Sequence, residues 1–237
     1  MNMFATLTTE GLEKQEDRLG GNSLLETGIY DGRIKLAYAG AAESGAKFVQ
    51  LLIDIDGKEY RETVYVTNKK GENFYTKGAN KVPLPGFSLI DNICILTSGK
   101  PLCQQDIEEK VVSIYSYDEK KEVPTKVPVL VELLTCPITL AIVNQLENKT
   151  VKNGNGEYVP TVEERTINLI ERAFHFETKV TVTEAMNNIT EGDFIHKWKE
   201  KNDGKVRDKR KGNSTSAAAS PTATQTSAPV RNIFGKK

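Results

Sequence analysis

The stretch of residues 47–67, KFVQLLIDIDGKEYRETVYVT, decides the fold because it contains two strand patterns joined by a turn signal. The first pattern, residues 47–56, alternates apolar and more polar positions with the period of two that is typical of a half-buried β-strand. Its apolar face consists of Val49, Leu51, Ile53 and Ile55. The pair Asp56-Gly57 favours a type I′ turn, which requires a positive φ at both central residues. Residues 58–67 return as a partner strand, so the stretch predicts a β-hairpin.

On the N-terminal side of this hairpin, residues 30–38 show the same period of two and predict a further strand. Its mostly apolar face is expected to consist of Tyr30, Gly32, Ile34, Leu36 and Tyr38. On the C-terminal side, residues 74–85 are expected to form a loop. Residues 86–98 then predict a helix, which Gly99 and Pro101 close.

The rest of the chain adds strands and short helices to this pattern. Strands are predicted at residues 111–117, 138–146 and 162–176, and short helices at residues 10–18, 184–188 and 194–201. Residues 127–134 fit a strand or a helix. Three strands, a helix and then further strands are the element order of an OB-fold, a five-stranded Greek-key barrel with a helix between its third and fourth strands. The chain is therefore predicted to be mainly β, with an OB-fold that carries added strands and a few short helices.

A change in composition predicts a folded domain, residues 1–202, followed by a flexible, disordered C-terminal arm, residues 203–237. The arm has eight Lys and Arg residues against two Asp, a net charge of +6, whereas the body has 24 basic against 30 acidic residues, a net charge of −6. Residues 213–229 are mostly Ser, Thr, Ala and Pro, which bury too little apolar area to offset the entropy of ordering. The apolar pair Ile233 and Phe234 follows, and such a tag on a flexible tether predicts recruitment of a partner protein.

The remaining composition argues against several classes of protein. No stretch approaches the ~18 consecutive apolar residues of a membrane span, and the N-terminus lacks the basic and apolar regions of a secretory signal. Three cysteines without a C-x-x-C pair, Cys94, Cys103 and Cys136, argue for a reducing compartment rather than a disulfide framework or a zinc site. The Gly-rich residues 40–47 place their lysine one position too late for a phosphate loop. We therefore expect no enzymatic activity, no metal and no cofactor.

Residues 58–81 carry the main functional signal, because cations and aromatic rings alternate along them. Arg61 and Tyr65 fall on the less apolar face of the predicted strand. Exposed rings beside cations form a platform for single-stranded nucleic acid, on which bases stack while the cations contact phosphates. A solvated hairpin whose aromatic residues belong to the core explains the same pattern, and the residues alone leave both interpretations open. The candidate DNA-binding residues are Arg61, Tyr65, Lys69, Lys70, Phe74, Tyr75, Lys77 and Lys81.

A further signal comes from longer segments of the chain. They are MFATLTTEG at 3–11, VTNKKGENFY at 66–75, LPGF at 84–87, residues 96–102 and 105–110, and YDEKKEVPTKVPVL at 117–130. These segments, together with the Ile-Phe-Gly of the tail, resemble bacteriophage single-stranded DNA-binding proteins. The resemblance covers most of residues 1–212. It implies an OB-fold without catalytic residues that coats single-stranded DNA with little sequence preference, during replication, recombination and the repair of DNA damage in the host cytoplasm.

The chain departs from that family in the charge of its arm. Many single-stranded DNA-binding proteins have an acidic arm that ends in an aromatic residue and competes with DNA, whereas this arm keeps Phe234 but is basic. It is therefore expected to add phosphate contacts. Phage replication or recombination proteins are the expected partners of Ile233 and Phe234, and a homodimer stays open. The alternative is a protein-interaction adaptor or virion component that has the same barrel and binds no nucleic acid.

Overall fold

The structure, a computed structural model, describes residues 24–116, 119–154 and 158–210. The helix expected at residues 10–18 and the tag at residues 233–234 lie outside them. The strands are β1 (Gly28–Ala41), β2 (Lys47–Ile55), β3 (Lys58–Tyr65), β4 (Phe74–Lys77), β5 (Asn80–Pro83), β6 (Ile107–Ser116), β7 (Lys121–Leu130), β8 (Pro137–Lys152), β9 (Tyr158–Phe174) and β10 (Arg207–Asp208). The helices are α1 (Pro85–Ser98), α2 (Val182–Met186) and α3 (Phe194–Asn202), with 3₁₀ turns at Leu102–Gln104 and Val131–Leu133.

The fold is mainly β, as the alternating patterns predict, and β2 and β3 form the expected hairpin. Asp56 and Gly57 have φ values of 50° and 77°, as a type I′ turn requires. The Asp54 carboxylate accepts the N–H of Gly57 at 2.8 Å and so stabilises the turn. The predicted apolar face of β2 is buried along its whole length.

Strand β1 contains a β-bulge that the sequence pattern does not predict. Lys35 is an extra residue without a partner in β2, between the paired positions Ile34 and Leu36. A shift of one residue exchanges the two faces of a strand. Ala37 is therefore fully buried, whereas Leu36 and Tyr38 face outward. The prediction that Leu36 and Tyr38 belong to the inward face is wrong.

Strand β1 lies at the centre of a large, curled sheet. One edge pairs with β2, which pairs with β3, and the other edge pairs with β8 along residues 28–33 and with β7 at Tyr38. β8 pairs in turn with β9, and β7 with β6. All of these pairs are antiparallel, so the order β3-β2-β1-β8-β9 makes β3 and β9 run in the same direction. Helix α1 follows β5 in the chain and contacts β3, β8 and β9, so it covers one opening of the curled sheet.

A buried carboxylate links β3 to β9. Glu62 accepts the backbone N–H of Ile170 at 2.8 Å and the hydroxyl of Tyr60 at 2.6 Å. Burial raises the pKa of Glu62 to about 7, and the hydrogen bonds from Tyr60 and Ile170 partly oppose this rise. The side chain therefore satisfies a backbone donor at the place where the two strands meet.

Two hydrophobic cores lie on opposite faces of β8. The larger core fills the curled sheet beneath α1 and includes the fully buried Ile34, Leu51, Ile53, Ile90, Ile93, Leu133, Leu140 and Ile142. The smaller core joins β8 to α3 and contains Ala141, Val143, Phe174, Ile195 and Trp198. Because both faces of β8 are buried, residues 138–143 read as a nearly continuous apolar run rather than an alternating one.

Three segments differ from their predictions. Residues 74–85 were expected to be a loop, but residues 74–83 form the hairpin of β4 and β5, in which Gly78 has a φ of 62° that suits a tight turn. The strand predicted at residues 111–117 begins earlier, at Ile107. The ambiguous residues 127–134 complete β7 and continue into a 3₁₀ turn.

The folded body extends past the predicted boundary at residue 202. β10 pairs with β8 in parallel, and the Arg207 guanidinium donates to the Glu171 carboxylate. Arg210 forms an ion pair with Glu164 at 2.8 Å. These contacts connect the chain to the body as far as Arg210.

Candidate nucleic-acid interface

The outward side of strands β1, β2 and β3, here called the outer face, carries aromatic and polar side chains in three cross-strand rows. The rows are Gly40–Phe48–Tyr65, Tyr38–Gln50–Thr63 and Leu36–Leu52–Arg61. Directly opposite side chains have Cβ atoms about 4.5–5.5 Å apart, and diagonal neighbours are within reach of aromatic side chains. The rings of Tyr38, Phe48 and Tyr65 therefore occupy neighbouring positions of one surface.

Phe48 and Tyr65 form the end of the outer face next to the turn between β1 and β2. Their ring centroids are 5.8 Å apart and their planes are inclined at 67°, an edge-to-face arrangement. Gly40 lies beneath the Phe48 ring, since a Cβ atom at Gly40 would be 2.3 Å from Phe48 Cζ. Tyr65 is 51% exposed, so its ring is accessible to a ligand.

Arg61 lies on the same face as Tyr65, as the sequence predicts, but carboxylates already balance its charge. It forms ion pairs with Glu59 on its own strand and, at 3.8 Å, with Glu122 of β7. The second contact brings one end of the β6–β7 hairpin to this side of the outer face. A phosphate bound at Arg61 would therefore compete with two carboxylates.

The turn after β3 presents Lys69 and Lys70 on a backbone that a side chain holds in place. The side-chain oxygen Oδ1 of Asn68 accepts the N–H of Lys70 at 2.9 Å and that of Glu72 at 3.0 Å. Its amide group donates to the Glu72 carboxylate at 2.9 Å. Gly71 has the positive φ, 80°, that such a turn requires. Both lysines are exposed.

The β4–β5 hairpin adds two rings and two lysines directly after this turn. Because side chains alternate along a strand, Phe74 and Tyr75 point to opposite sides of the hairpin. Lys81 lies on the Phe74 side, where its Nζ is 4.4 Å from the ring centroid, a cation–π contact. Tyr75 and Lys77 lie on the other side, and Tyr75 is 46% exposed. A single base-binding surface can therefore use only one of the two rings.

The lysines of this region remain available to an external anion. Residues 68–83 contain four lysines and one glutamate, a net charge of +3. None of the four lysines forms an ion pair with another residue that the structure describes. Seven of the eight predicted residues follow one another from the end of β3 through the turn and the β4–β5 hairpin, and Arg61 lies two cross-strand rows away from Tyr65 on β3.

No protein-family model and no curated protein sequence matches the chain. Within residues 24–116, 119–154 and 158–210, no group of three His, Cys, Asp or Glu side chains is arranged to hold a metal ion. No helix in the same ranges is both long enough and apolar enough to cross a membrane.

The sequence pattern does not identify Phe48 or Tyr38 as residues of this surface. The sequence could have placed Phe48 on this surface, because Phe48 is out of phase with the apolar positions of β2 and must face away from the core. It could not have placed Tyr38 there, because only the bulge at Lys35 turns Tyr38 outward.

Three basic residues of the predicted arm already contact other residues of the folded part. Arg207 and Arg210 are ion-paired with the body, and Lys205 donates to the carbonyl of Lys201, so these three are less available for phosphate than a free arm would make them. Ile233 and Phe234 lie outside the described residues.

Proposed function

We propose that this chain binds single-stranded DNA with little sequence preference and protects it during phage DNA replication, recombination and repair, without enzymatic activity, in the host cytoplasm. The observation that carries the proposal is the juxtaposition of the exposed Tyr65 ring and the half-buried rings of Tyr38 and Phe48 with lysines that no described carboxylate neutralises. Tyr65 connects the two groups, because it ends β3 immediately before the turn that holds Lys69 and Lys70.

The rings and the lysines have separate tasks in this proposal. Bases stack on Tyr38, Phe48 and Tyr65, which is sequence-tolerant because every base has a π-face. Lys69 and Lys70 contact the phosphates, which carry no sequence information. Low sequence preference therefore follows from the kind of contact.

The same arrangement favours single strands over duplex. In a duplex the bases stack on each other, so their faces are not accessible to protein rings. A single strand exposes those faces and can bend to place successive bases on neighbouring side chains. The lysines alone would bind both forms, and the rings provide the discrimination.

We further propose that the domain is a variant of the OB-fold. Its support is the strand order β3-β2-β1-β8-β9, the parallel direction of β3 and β9, and the position of α1 between β3 and β8 in the chain. In this interpretation the β6–β7 hairpin is an insertion after α1. The closing contact between β3 and β9 runs through the Glu62 carboxylate and the Ile170 N–H. OB-folds bind oligonucleotides on the face of strands 2 and 3, which corresponds to the outer face here.

The direct test is fluorescence anisotropy with labelled single-stranded DNA, the matching duplex and single-stranded RNA, each measured across salt concentrations. We expect the single strand to bind more tightly than the duplex. We also expect log affinity to fall with log salt by about 0.7 for each phosphate neutralised. Equal affinity for duplex, or no dependence on salt, would contradict the proposal and favour the protein-interaction adaptor.

A second part of the proposal concerns recruitment. Ile233 and Phe234 form an apolar tag that a replication or recombination protein of the phage can bind. Deletion of residues 232–237 is expected to abolish co-purification of such a partner and to leave DNA affinity close to unchanged, since the lysines of the β4–β5 hairpin are retained. Retention of every partner after the deletion would show that the tag is not the docking segment.

A further inference from the structure

An apolar groove lies between the second half of α1 and the short helix α2, away from the outer face. Its volume is about 540 Å³, which is within the range of about 300–1,000 Å³ usual for ligand pockets. Its apolar lining includes Ile95, Leu96, Val180, Val182, Ala185 and Met186. Met186 is 73% exposed, and methionine side chains adapt readily to an apolar partner.

The walls of the groove are fixed before anything binds. Glu184 forms a capping box with Thr181 at the start of α2. The other oxygen of the same carboxylate accepts the N–H groups of Asp193 and Phe194 at 2.9 and 2.7 Å. Helix α2 is thereby held to the segment that leads into α3. A ligand therefore enters a formed groove and does not have to order it, which reduces the entropic cost of binding.

We propose that this groove is the docking site for the chain's own apolar tag, Ile233 and Phe234. Two adjacent large apolar side chains match a groove whose lining is mostly apolar. The inference does not depend on DNA binding, because none of the residues that line the groove belongs to the outer face or to the β4–β5 hairpin.

Charge around the groove supports this occupant. Residues 176–193 contain Glu177, Glu184, Glu191 and Asp193 against the single Lys179, a net charge of −3. Glu184 is buried in the cap and Asp193 is paired with Lys197, which leaves two exposed carboxylates at the rim. The backbone bond from Gly192 to the carbonyl of Thr178, a lining residue, brings Glu191 to this rim. The tag itself is flanked by Arg231, Lys236 and Lys237, so the charges are complementary.

The length of the connecting chain also fits. The start of the arm is held beside β9, where Arg210 pairs with Glu164. His175, which lines the groove, lies eleven residues after Glu164. At ~3.3 Å per residue, Glu164 and His175 are therefore at most about 36 Å apart. The 23 residues from Arg210 to Ile233 reach roughly 24–29 Å as a flexible chain. Fully extended they reach about 80 Å. The flexible arm that the sequence predicts would give the tag a local concentration on the order of millimolar, at which even a weak contact is occupied.

The test uses the full-length chain with Ile233→Asp and Phe234→Asp, which leaves the groove free, and a fluorescent peptide of residues 230–237, VRNIFGKK. We expect the peptide to bind this chain, and a peptide with both apolar residues changed to Ser not to bind. Adding Ala185→Arg, which places a long charged side chain in the groove, is expected to lower peptide affinity at least about tenfold. Thr183→Arg is the matched control, because Thr183 is exposed on the same helix but does not line the groove.

Two further measurements complete the test. The double change Glu177→Lys and Glu191→Lys is expected to lower peptide affinity several-fold, whereas Glu200→Lys on α3 is expected to leave it unchanged. Single-stranded DNA affinity of the Ala185→Arg chain is expected to equal that of the parent, which separates this inference from the proposed function. The inference is overturned if Ala185→Arg and Thr183→Arg chains bind the peptide equally. It is also overturned if Lys69→Glu or Tyr65→Ala, rather than Ala185→Arg, abolishes peptide binding.

Discussion

The β4–β5 and β8–β9 hairpins have the same secondary structure but differ in how many of their charges are paired. In the β4–β5 hairpin, Lys77 and Lys81 have no carboxylate partner among the described residues, and rings lie beside them. In the outer part of the β8–β9 hairpin, Lys149 pairs with Glu163 at 2.9 Å and Arg165 with Glu147 at 2.7 Å. Nearer the tip, Lys152 has no carboxylate partner among the described residues, and the exposed apolar side chains are mainly aliphatic, such as Val162 at 79% exposure.

This difference indicates which hairpin can bind a polyanion. An ion pair on the surface contributes little to stability, but it does neutralise the charges that a phosphate would otherwise meet. A lysine without a partner is held only by solvent and counterions, which a phosphate replaces with a gain from counterion release. Composition alone does not separate the two hairpins, because both contain lysines.

The largest expected effect comes from removing the four lysines Lys69, Lys70, Lys77 and Lys81 together. Replacement by Ala is expected to reduce the slope of log affinity against log salt by up to about 2.8, and affinity at about 0.1 M salt by roughly 10²–10³-fold. Anisotropy titrations across salt concentrations measure both quantities. The matched control replaces Lys149, Lys152, Lys199 and Lys201, which removes the same charge elsewhere. An equal loss in the control would show that net charge alone drives binding and that the two hairpins do not differ.

The next effect concerns the pH dependence of stability. It arises where Glu62 of β3 accepts the N–H of Ile170 in β9. The folded protein keeps a proton on Glu62 that the unfolded chain releases, since the pKa is raised from 4.5 to about 7 by burial. Stability is therefore expected to fall as pH rises from about 4.5 to 7, by about 3 kcal/mol in total. Glu62→Gln, which stays neutral and can still accept the Ile170 N–H, is expected to lack this loss.

Denaturant unfolding at several pH values between 5 and 8 tests this prediction. If the free energy of unfolding changes with pH in the same way for the wild type and Glu62→Gln, Glu62 does not titrate at the contact between β3 and β9. DNA affinity at a fixed pH is expected to be the same for both proteins, because Glu62 supports the fold and does not lie on the outer face that is proposed to bind DNA.

A smaller effect is expected for single rings. Tyr65→Ala is expected to weaken single-stranded DNA binding by about 1–3 kcal/mol, or roughly 5–150-fold, while the fold survives because the ring is half exposed. Tyr75→Ala is expected to weaken binding and Phe74→Ala to have little effect, because the two rings face opposite ways and Lys81 already covers Phe74. Tyr158→Ala in the β8–β9 hairpin, a ring that is 71% exposed, is the control. Normal binding by Tyr65→Ala would remove the rings from the interface.

The smallest effect is expected from the ion pair between Lys149 and Glu163. The neighbouring ammonium lowers the pKa of Glu163, but both groups are exposed to solvent. A double-mutant cycle with Ala at both positions is expected to give no measurable coupling in thermal unfolding. A clear coupling would mean that the β8–β9 hairpin needs its charges for its own structure.

Local signals could be predicted from the sequence, and contacts between distant segments could not. The β2–β3 hairpin depends on Asp56-Gly57 and on alternation within twenty residues, and the structure reproduces it. Helix α1 was predicted to within one residue, since Gly99, at φ 76°, ends it. The link from Glu62 to Ile170 spans 108 residues of chain and leaves no local pattern. β10 is likewise invisible in the sequence, because two residues carry no periodicity.

In the candidate site, too, local features could be predicted and tertiary contacts could not. Lysines 69 and 70 could be placed in an exposed turn from the residues Asn68 and Gly71 alone. Whether a cation has a carboxylate nearby could not be predicted, because Glu122 reaches Arg61 from another strand. Residue type identified the eight candidates, and only the tertiary arrangement separates Arg61 from the lysines.

The bulge at Lys35 allows β1 to lose one residue without exchanging its faces. Because Lys35 has no partner in β2, its deletion leaves Ile34 opposite Ile53 and Leu36 opposite Leu52. Ala37, which is fully buried, would stay inward and Tyr38 outward, now with strict alternation. The stacking surface and the core would therefore both survive this three-nucleotide deletion. Random mutagenesis of residues 34–40 followed by selection for DNA binding should accept many replacements at Lys35 and also its deletion.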